Sequence, residues 1–189
     1  MIVPNDFIAS AERTFGPSGL EWCVRLPDIV AEFVETWHLE VDLRADEECW
    51  YGMCGIVVPV RTADDEPAVL KVSWADRETE HEHTALAAWG GNGAARLLAA
   101  DGPRRVILME RLDPHRTLEL EPIDEAVDIL ARMLHRLAIP APHEIEAVTD
   151  LAARWVDELP HRWAAAGPDA PRRLLDAATD AARNLGPES

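Results

Sequence analysis

The sequence predicts an α+β fold in which a β-rich first half is followed by a helical second half, without βαβ alternation. Three observations carry this. The apolar runs "GIVVPV" (Gly55–Val60) and "AVLKVSW" (Ala68–Trp74) flank a polar "RTADDEP" segment, the pattern of an antiparallel hairpin. Two more strand-like runs, "RLLAAD" and "RRVILMERL", meet at a Gly102-Pro103 turn. From Pro122 onward the apolar residues recur instead at helical spacing.

Taken in order, Leu26 to Trp37 places Ile29, Val30, Phe33, Val34 and Trp37 on one helical stripe, and "LEVDL" then alternates as a strand does. After the hairpin, Asp76 is suited to cap a helix that runs to about Trp89 and stops at "GGNG". In the second half, Pro122 suits a first helical turn, and Ile123, Val127, Leu130, Leu134 and Leu137 mark its stripe. "PAPHE" breaks that helix. A second helix carries Val148, Leu151, Trp155 and Leu159, with Pro160 expected to bend or end it. A third, opened by Pro171, carries Leu174, Leu175, Ala178, Ala182 and Leu185 before Gly186-Pro187. The expected division is 1–111, with a helical extension to about residue 37, and 112–189.

Composition narrows the function classes. At 189 residues, 48% hydrophobic and 28% charged, the chain has room for a real core. Its formal net charge of -17 argues against a nucleic-acid or anionic-membrane surface and suits solubility or a cationic partner. No segment is apolar for long enough to span a bilayer, and the start "MIVPNDFIASAERTFG" does not read as a signal peptide. Cys23, Cys49 and Cys54 are odd in number and lack CxxC spacing, which fits reduced thiols in a cytoplasm.

Lys71 is the residue that asks for an explanation, a cation among Val69, Leu70, Val72 and Trp74. A strand lysine is ordinarily solvated, and alternation places Leu70 and Val72 on the opposite face. Three neighbours favour a job instead. Gly52 and Gly55 in "WYGMCGIVVPV" sit at a strand-to-strand passage where backbone can approach a ligand. Glu78, Glu80 and Glu82 follow on a helix and offer an ammonium its partner. "VILMERL" then places an apolar strand directly before the helical half. That order matches a protein-kinase-like amino-terminal lobe, where a lysine contacts nucleotide phosphates and a helix glutamate holds it.

The stretch "PVRTADDEPAVLKVSWADRETEHEHTALAAWGGNGAARLLAADGPRRVILMERLDPHRTL" resembles the aminoglycoside and hydroxyurea antibiotic resistance kinases, the streptomycin 6-phosphotransferase group. "LAARWVDELPHRW" and "PRRLLDAA" resemble the same family's helical lobe, so the similarity runs from about Trp37 to Asn184. The resemblance implies a kinase-like fold and transfer of the ATP γ-phosphate to a hydroxyl of streptomycin or a related compound. Lys71 then matches the phosphate-contacting lysine, and Glu82 best matches the helix glutamate, with Glu80 and Glu78 as rivals. Met109 to Leu112, including Glu110, match the hinge that meets the adenine edge. Gly52 and Gly55 lie in the phosphate-covering loop, although they do not form GxGxxG.

The resemblance also implies parts that these residues lack. The family's "HGDLH…N" loop supplies the catalytic aspartate, and that loop with a later aspartate supplies the magnesium ligands. His143-Glu144 and His161-Arg162 do not reproduce it. No catalytic residue is therefore assigned within the chain, and the catalytic aspartate is expected beyond Ser189. Magnesium is implied by the family, but its ligands are absent here. A truncated product, a cut or partial chain and one half of a split enzyme all fit, and the chain alone is expected to be inactive. A non-catalytic module that binds nucleotide or a partner is the alternative. The partner is then a complementary carboxy-terminal fragment or a second copy. "EHEH" at Glu80–His83 lacks HExxH geometry, so no metal site is assigned. His115 falls in a loop, and His135 and His161 fall on helices with no nucleophile nearby in sequence. The seven tryptophans, Trp89, Trp155 and Trp163 among them, read as packing residues.

Overall fold

Helical spacing of apolar residues and strand alternation produce the expected elements, with some shifted boundaries. The computed structural model describes residues 1–44, 46–167 and 171–185. Contacts group the chain into two units, Met1–Pro140 and Ala141–Ser189.

The first unit opens with two helices, α1 (Asn5–Phe15) and α2 (Pro17–Thr36). α2 begins well before the expected Leu26, because Pro27 does not interrupt it. Pro27 lacks an N–H, so the helix forgoes one hydrogen bond there and still runs through. Six strands follow among the described residues: β1 (Glu40–Val41), β2 (Trp50–Tyr51), β3 (Gly55–Arg61), β4 (Pro67–Ser73), β5 (Leu97–Asp101) and β6 (Val106–Glu110). They form one antiparallel sheet in the order β1-β3-β4-β6-β5, with β2 also paired to β3.

One face of the sheet makes the core with α1 and α2. Ile56, Val58 and Val60 of β3, Leu70 and Val72 of β4 and Val106 of β6 pack with Phe7, Trp22, Leu26, Val30 and Phe33. Each of the large side chains buried there contributes about 1.5–3 kcal/mol through removal of apolar surface from water. Trp22 and Trp74 meet edge to face at 5.5 Å, and Phe15 stacks on Trp74 at 4.6 Å, closing the end of the core.

α3 (Glu82–Trp89) lies between β4 and β5 in the chain. It starts later than the expected cap at Asp76. The Asp76 carboxylate instead accepts the Thr79 N–H at 2.9 Å, closing a separate turn, and His81 at the helix start makes no side-chain cap. Short polar side chains bond their own backbone two or three residues on, and here that competes with helix extension. The end is as expected, at Gly90 in the left-handed region. A short 3-10 turn at Leu118–Leu120 precedes α4 (Ile123–Leu137). Trp89 Nε1 donates to the Leu137 carbonyl at 3.1 Å, joining α3 to the end of α4.

The second unit holds α5 (Val148–Ala166) and α6 (Arg172–Asn184). Pro160 does not end α5, which continues past it. Ala152 of α5 is buried, as are Leu175, Thr179 and Ala182 of α6. The expected stop at Gly186-Pro187 lies outside the described residues. Among the described residues no helix is long and apolar enough to cross a membrane.

Candidate functional site

Side chains alternate across a strand, so the face opposite the α1–α2 core is set by register. Lys71 lies opposite Val57 on β3 and Ile107 on β6, and Val57 in turn lies opposite Trp50 on β2. These four share the face away from Leu70 and Val72. A cavity of about 370 Å³ opens there, lined by Trp50, Gly52, Gly55, Val57, Lys71 and Met109 among others.

The β2–β3 turn forms its rim. Gly52 N–H donates to the Gly55 carbonyl at 2.9 Å, closing the turn. Gly55 must be glycine for a steric reason. A Cβ there would lie 2.7 Å from the Val72 carbonyl oxygen and 3.1 Å from Ser73 Cα, both backbone of β4. The lack of a side chain at Gly55 is what lets the turn sit down on the strand that carries the lysine.

Lys71 Nζ donates to Glu82 Oε1. Both side chains are 27% exposed, so the pair is shielded from bulk water on most sides. An ammonium has three donors, and a single carboxylate contact leaves others for a ligand in the cavity. The rival carboxylates go elsewhere. Glu80 Oε1 lies 3.7 Å from Arg105 Nη2. Glu78 groups with Cys54 and Asp76, their ligand atoms all within 4.8 Å of one another.

That group is a poor magnesium site. Burial first, then the charges of Asp76 and Glu78, raise the Cys54 pKa, so the sulfur stays a neutral thiol. Magnesium takes hard oxygen donors in near-octahedral array, which one thiol and two carboxylates do not supply. Cys49 is likewise a neutral thiol, its pKa pushed up to about 11 mainly by burial. Cys23, Cys49 and Cys54 are all free.

The structure thus brings Gly52, Gly55, Lys71 and Met109 around one cavity, with Glu82 against Lys71. Glu110 and Leu112 are not on its lining. Glu110 is bound to Arg96 twice: its N–H donates to the Arg96 carbonyl at 3.0 Å, and its carboxylate accepts the Arg96 N–H at 2.8 Å. Leu112 is exposed.

Sequence reasoning passed over Trp50, Ser73 and Thr79, all on the lining. Trp50 is placed by the β2–β3 register, Ser73 by its alternation with Lys71 on β4, and Thr79 by the turn it closes with Asp76. A plainer signal lies in composition: of the eighteen Lys and Arg residues, Lys71 alone is a lysine. Where every other cation is a guanidinium, one compact ammonium marks a position whose geometry an arginine fork does not fit.

An antiparallel sheet backed by α1 and α2, with α3 carrying the glutamate between β4 and β5, a glycine turn over a cavity and helices following the last strand are consistent with a kinase-like α+β fold. The chain belongs to the aminoglycoside/hydroxyurea antibiotic resistance kinase family, whose model matches residues 37–187. It is 38% identical over 176 residues to the streptomycin 6-kinase of Streptomyces glaucescens, covering 92% of this chain and 56% of that protein. It is 38% identical over 160 residues to the streptomycin 6-kinase of Streptomyces griseus, covering 84% and 51%. A hydroxyurea phosphotransferase of Kitasatospora aureofaciens is 37% identical over 177 residues, covering 92% and 51%. The chain therefore spans about half the length of these relatives. No solved structure matches it significantly.

Proposed function

We propose that this chain is the nucleotide-clamping part of an ATP-dependent phosphotransferase that acts on a hydroxyl of streptomycin or a related aminoglycoside. The observation that carries the reading is the Lys71–Glu82 pair at the wall of a cavity rimmed by Gly52 and Gly55. A triphosphate is multiply charged, and a lysine whose flexible stem is held by a carboxylate neutralises it in one geometry. Residues 1–111 are assigned to the clamping lobe and 112–189 to the first helices of the lobe that follows. The names of the relatives supply the acceptor, and the net charge of -17 is compatible with a polycationic one. A cytoplasmic location fits the free thiols.

No aspartate in the chain stands in an "HGD" setting to orient the acceptor hydroxyl. The expected outcome is that the purified chain binds ATP, measured by titration calorimetry, yet gives no streptomycin-dependent turnover in a coupled assay. Turnover that disappears in Lys71→Ala would overturn the inactivity and place the full reaction within these residues. Absence of ATP binding would overturn the clamp itself.

A second reading, a module that binds a partner, has its own observation. Ile123, Val127, Leu130 and Leu134 form a stripe along α4 and are all exposed. Exposed apolar stripes of that kind favour association, with a second copy or with a complementary carboxy-terminal polypeptide. Size-exclusion chromatography is expected to show concentration-dependent self-association, and a sharp monomer peak at all concentrations would count against it.

A further inference from the structure

We propose that Arg105, in the turn between β5 and β6, is a positioning residue that holds the start of α3 so that Glu82 meets Lys71. The inference rests on the nucleotide-clamp reading and adds to it the group that keeps the clamp closed.

Little within α3 itself fixes Glu82. The helix has eight residues, Leu86 is its one buried residue, and no side chain caps its start. An isolated helix of that length is unstable in water, so its placement comes from neighbours. The β5–β6 turn supplies contacts on both sides of Glu82. Two residues before it, Glu80 Oε1 lies 3.7 Å from Arg105 Nη2. One residue after it, the His83 ring rests against Gly102, where a Cβ would come within 2.6 Å of two ring atoms. The turn therefore grips residues 80 and 83 and leaves 82 facing the lysine.

Arg105 is an unusual residue to find where it is. Its φ of 57° lies in the left-handed region, where glycine is the low-strain choice. Its side chain is only 15% exposed, and its Nε is buried with no hydrogen-bond partner. Nη1 donates to the Gly102 carbonyl at 2.6 Å, which aims the remaining nitrogen at Glu80. The Arg105 carbonyl accepts the Ser73 N–H at 3.0 Å, so the same residue is anchored to the end of β4, two positions beyond Lys71. Backbone strain and a buried guanidinium are both tolerated at one position, where the backbone carbonyl is tied to the end of β4 and the guanidinium reaches the segment that leads into the glutamate helix. A turn selected for stability alone would carry glycine here.

That contrast supplies the test. Arg105→Gly fits the left-handed backbone, so its thermal midpoint is expected to be unchanged or higher, while ATP affinity falls about threefold to tenfold by calorimetry. In a Glu82→Gln background the same substitution should cause no further loss, because the lysine clamp is already open. An affinity unchanged in Arg105→Gly, or a loss that adds in full to that of Glu82→Gln, would overturn the proposal. Because Lys71 is the sole lysine, a lysine-selective ¹⁵N label also gives a single Nζ signal that reads the pair without nucleotide. That signal should move in Arg105→Gly toward its position in Glu82→Gln. If ATP does not bind the parent chain but the signal moves, the clamp reading fails and the positioning role stands. If it stays in place, the positioning role fails.

Discussion

Lys71→Ala is expected to lower the affinity of the chain for ATP by about 10- to 100-fold, the loss of one charge-assisted contact worth roughly 1.5–3 kcal/mol. The direction follows from two effects of the same sign. The substitution removes the one ammonium on the cavity wall, and it leaves the Glu82 carboxylate facing the triphosphate without its partner. Lys71→Arg should recover only part of the loss. A guanidinium keeps the charge but is planar and larger, and it cannot hold Glu82 and a phosphate from the space of one nitrogen. Titration calorimetry on the three chains decides the matter. Affinity within twofold of the parent in Lys71→Ala would remove Lys71 from the site.

Gly55→Ala has the largest expected effect on stability. Its new methyl group would collide with the Val72 carbonyl and Ser73 Cα, which are backbone and cannot rotate away. Either β3 and β4 separate locally or the β2–β3 turn lifts, at a cost of about 1–3 kcal/mol. Gly52→Ala is the matched control, since a Cβ there meets nothing within 4 Å and should change stability by less than about 0.5 kcal/mol. Urea unfolding midpoints compare the pair. Equal midpoints for Gly55→Ala and the parent would show that the turn does not sit on β4 as described. Gly55→Ala should also weaken ATP binding, because the strand it displaces carries Lys71.

These two positions show what was legible in advance and why. The hairpin, Lys71 at its second strand and the glycines at its rim are all local features. Two apolar runs of strand length joined by a polar turn segment specify them without reference to the rest of the molecule. The same local features favour Glu82 over Glu78 and Glu80 without settling the choice. A cap at Asp76 implies a helix phase starting six residues before Glu82, whereas Asp76 closes its own turn with Thr79 and the helix begins at Glu82. Two competing local hydrogen-bond arrangements look alike in sequence, and packing against the β5–β6 turn selects between them. Met109 reaches the cavity and its neighbour Glu110 does not, because alternation along β6 puts Met109 on the Lys71 face and Glu110 on the opposite one.

Trp50 illustrates the same limit from the other side. As one of seven tryptophans it reads as packing, and Trp22 and Trp74 do pack in the core. Trp50 lines the cavity because its pairing with Val57 puts it on the Lys71 face, and the adjacent Tyr51, which also reaches the lining, packs against Phe7 at 5.6 Å.

Sequence alone was enough for the α+β order, the strand lysine, a helix after it that ends at Gly90 and the family that this pattern resembles, since each rests on periodicity, turn chemistry or an ordered motif within one stretch of chain. Glu78 and Glu80, by contrast, fall before that helix and not on it. Tertiary structure decided which carboxylate meets the lysine, which aromatics reach the cavity and which arginine meets Glu80. Those depend on register and on contacts between residues far apart in sequence, such as Arg105 with Glu80 and Trp89 with Leu137. No local pattern records them, because their free energy arises only when separate elements are already packed together.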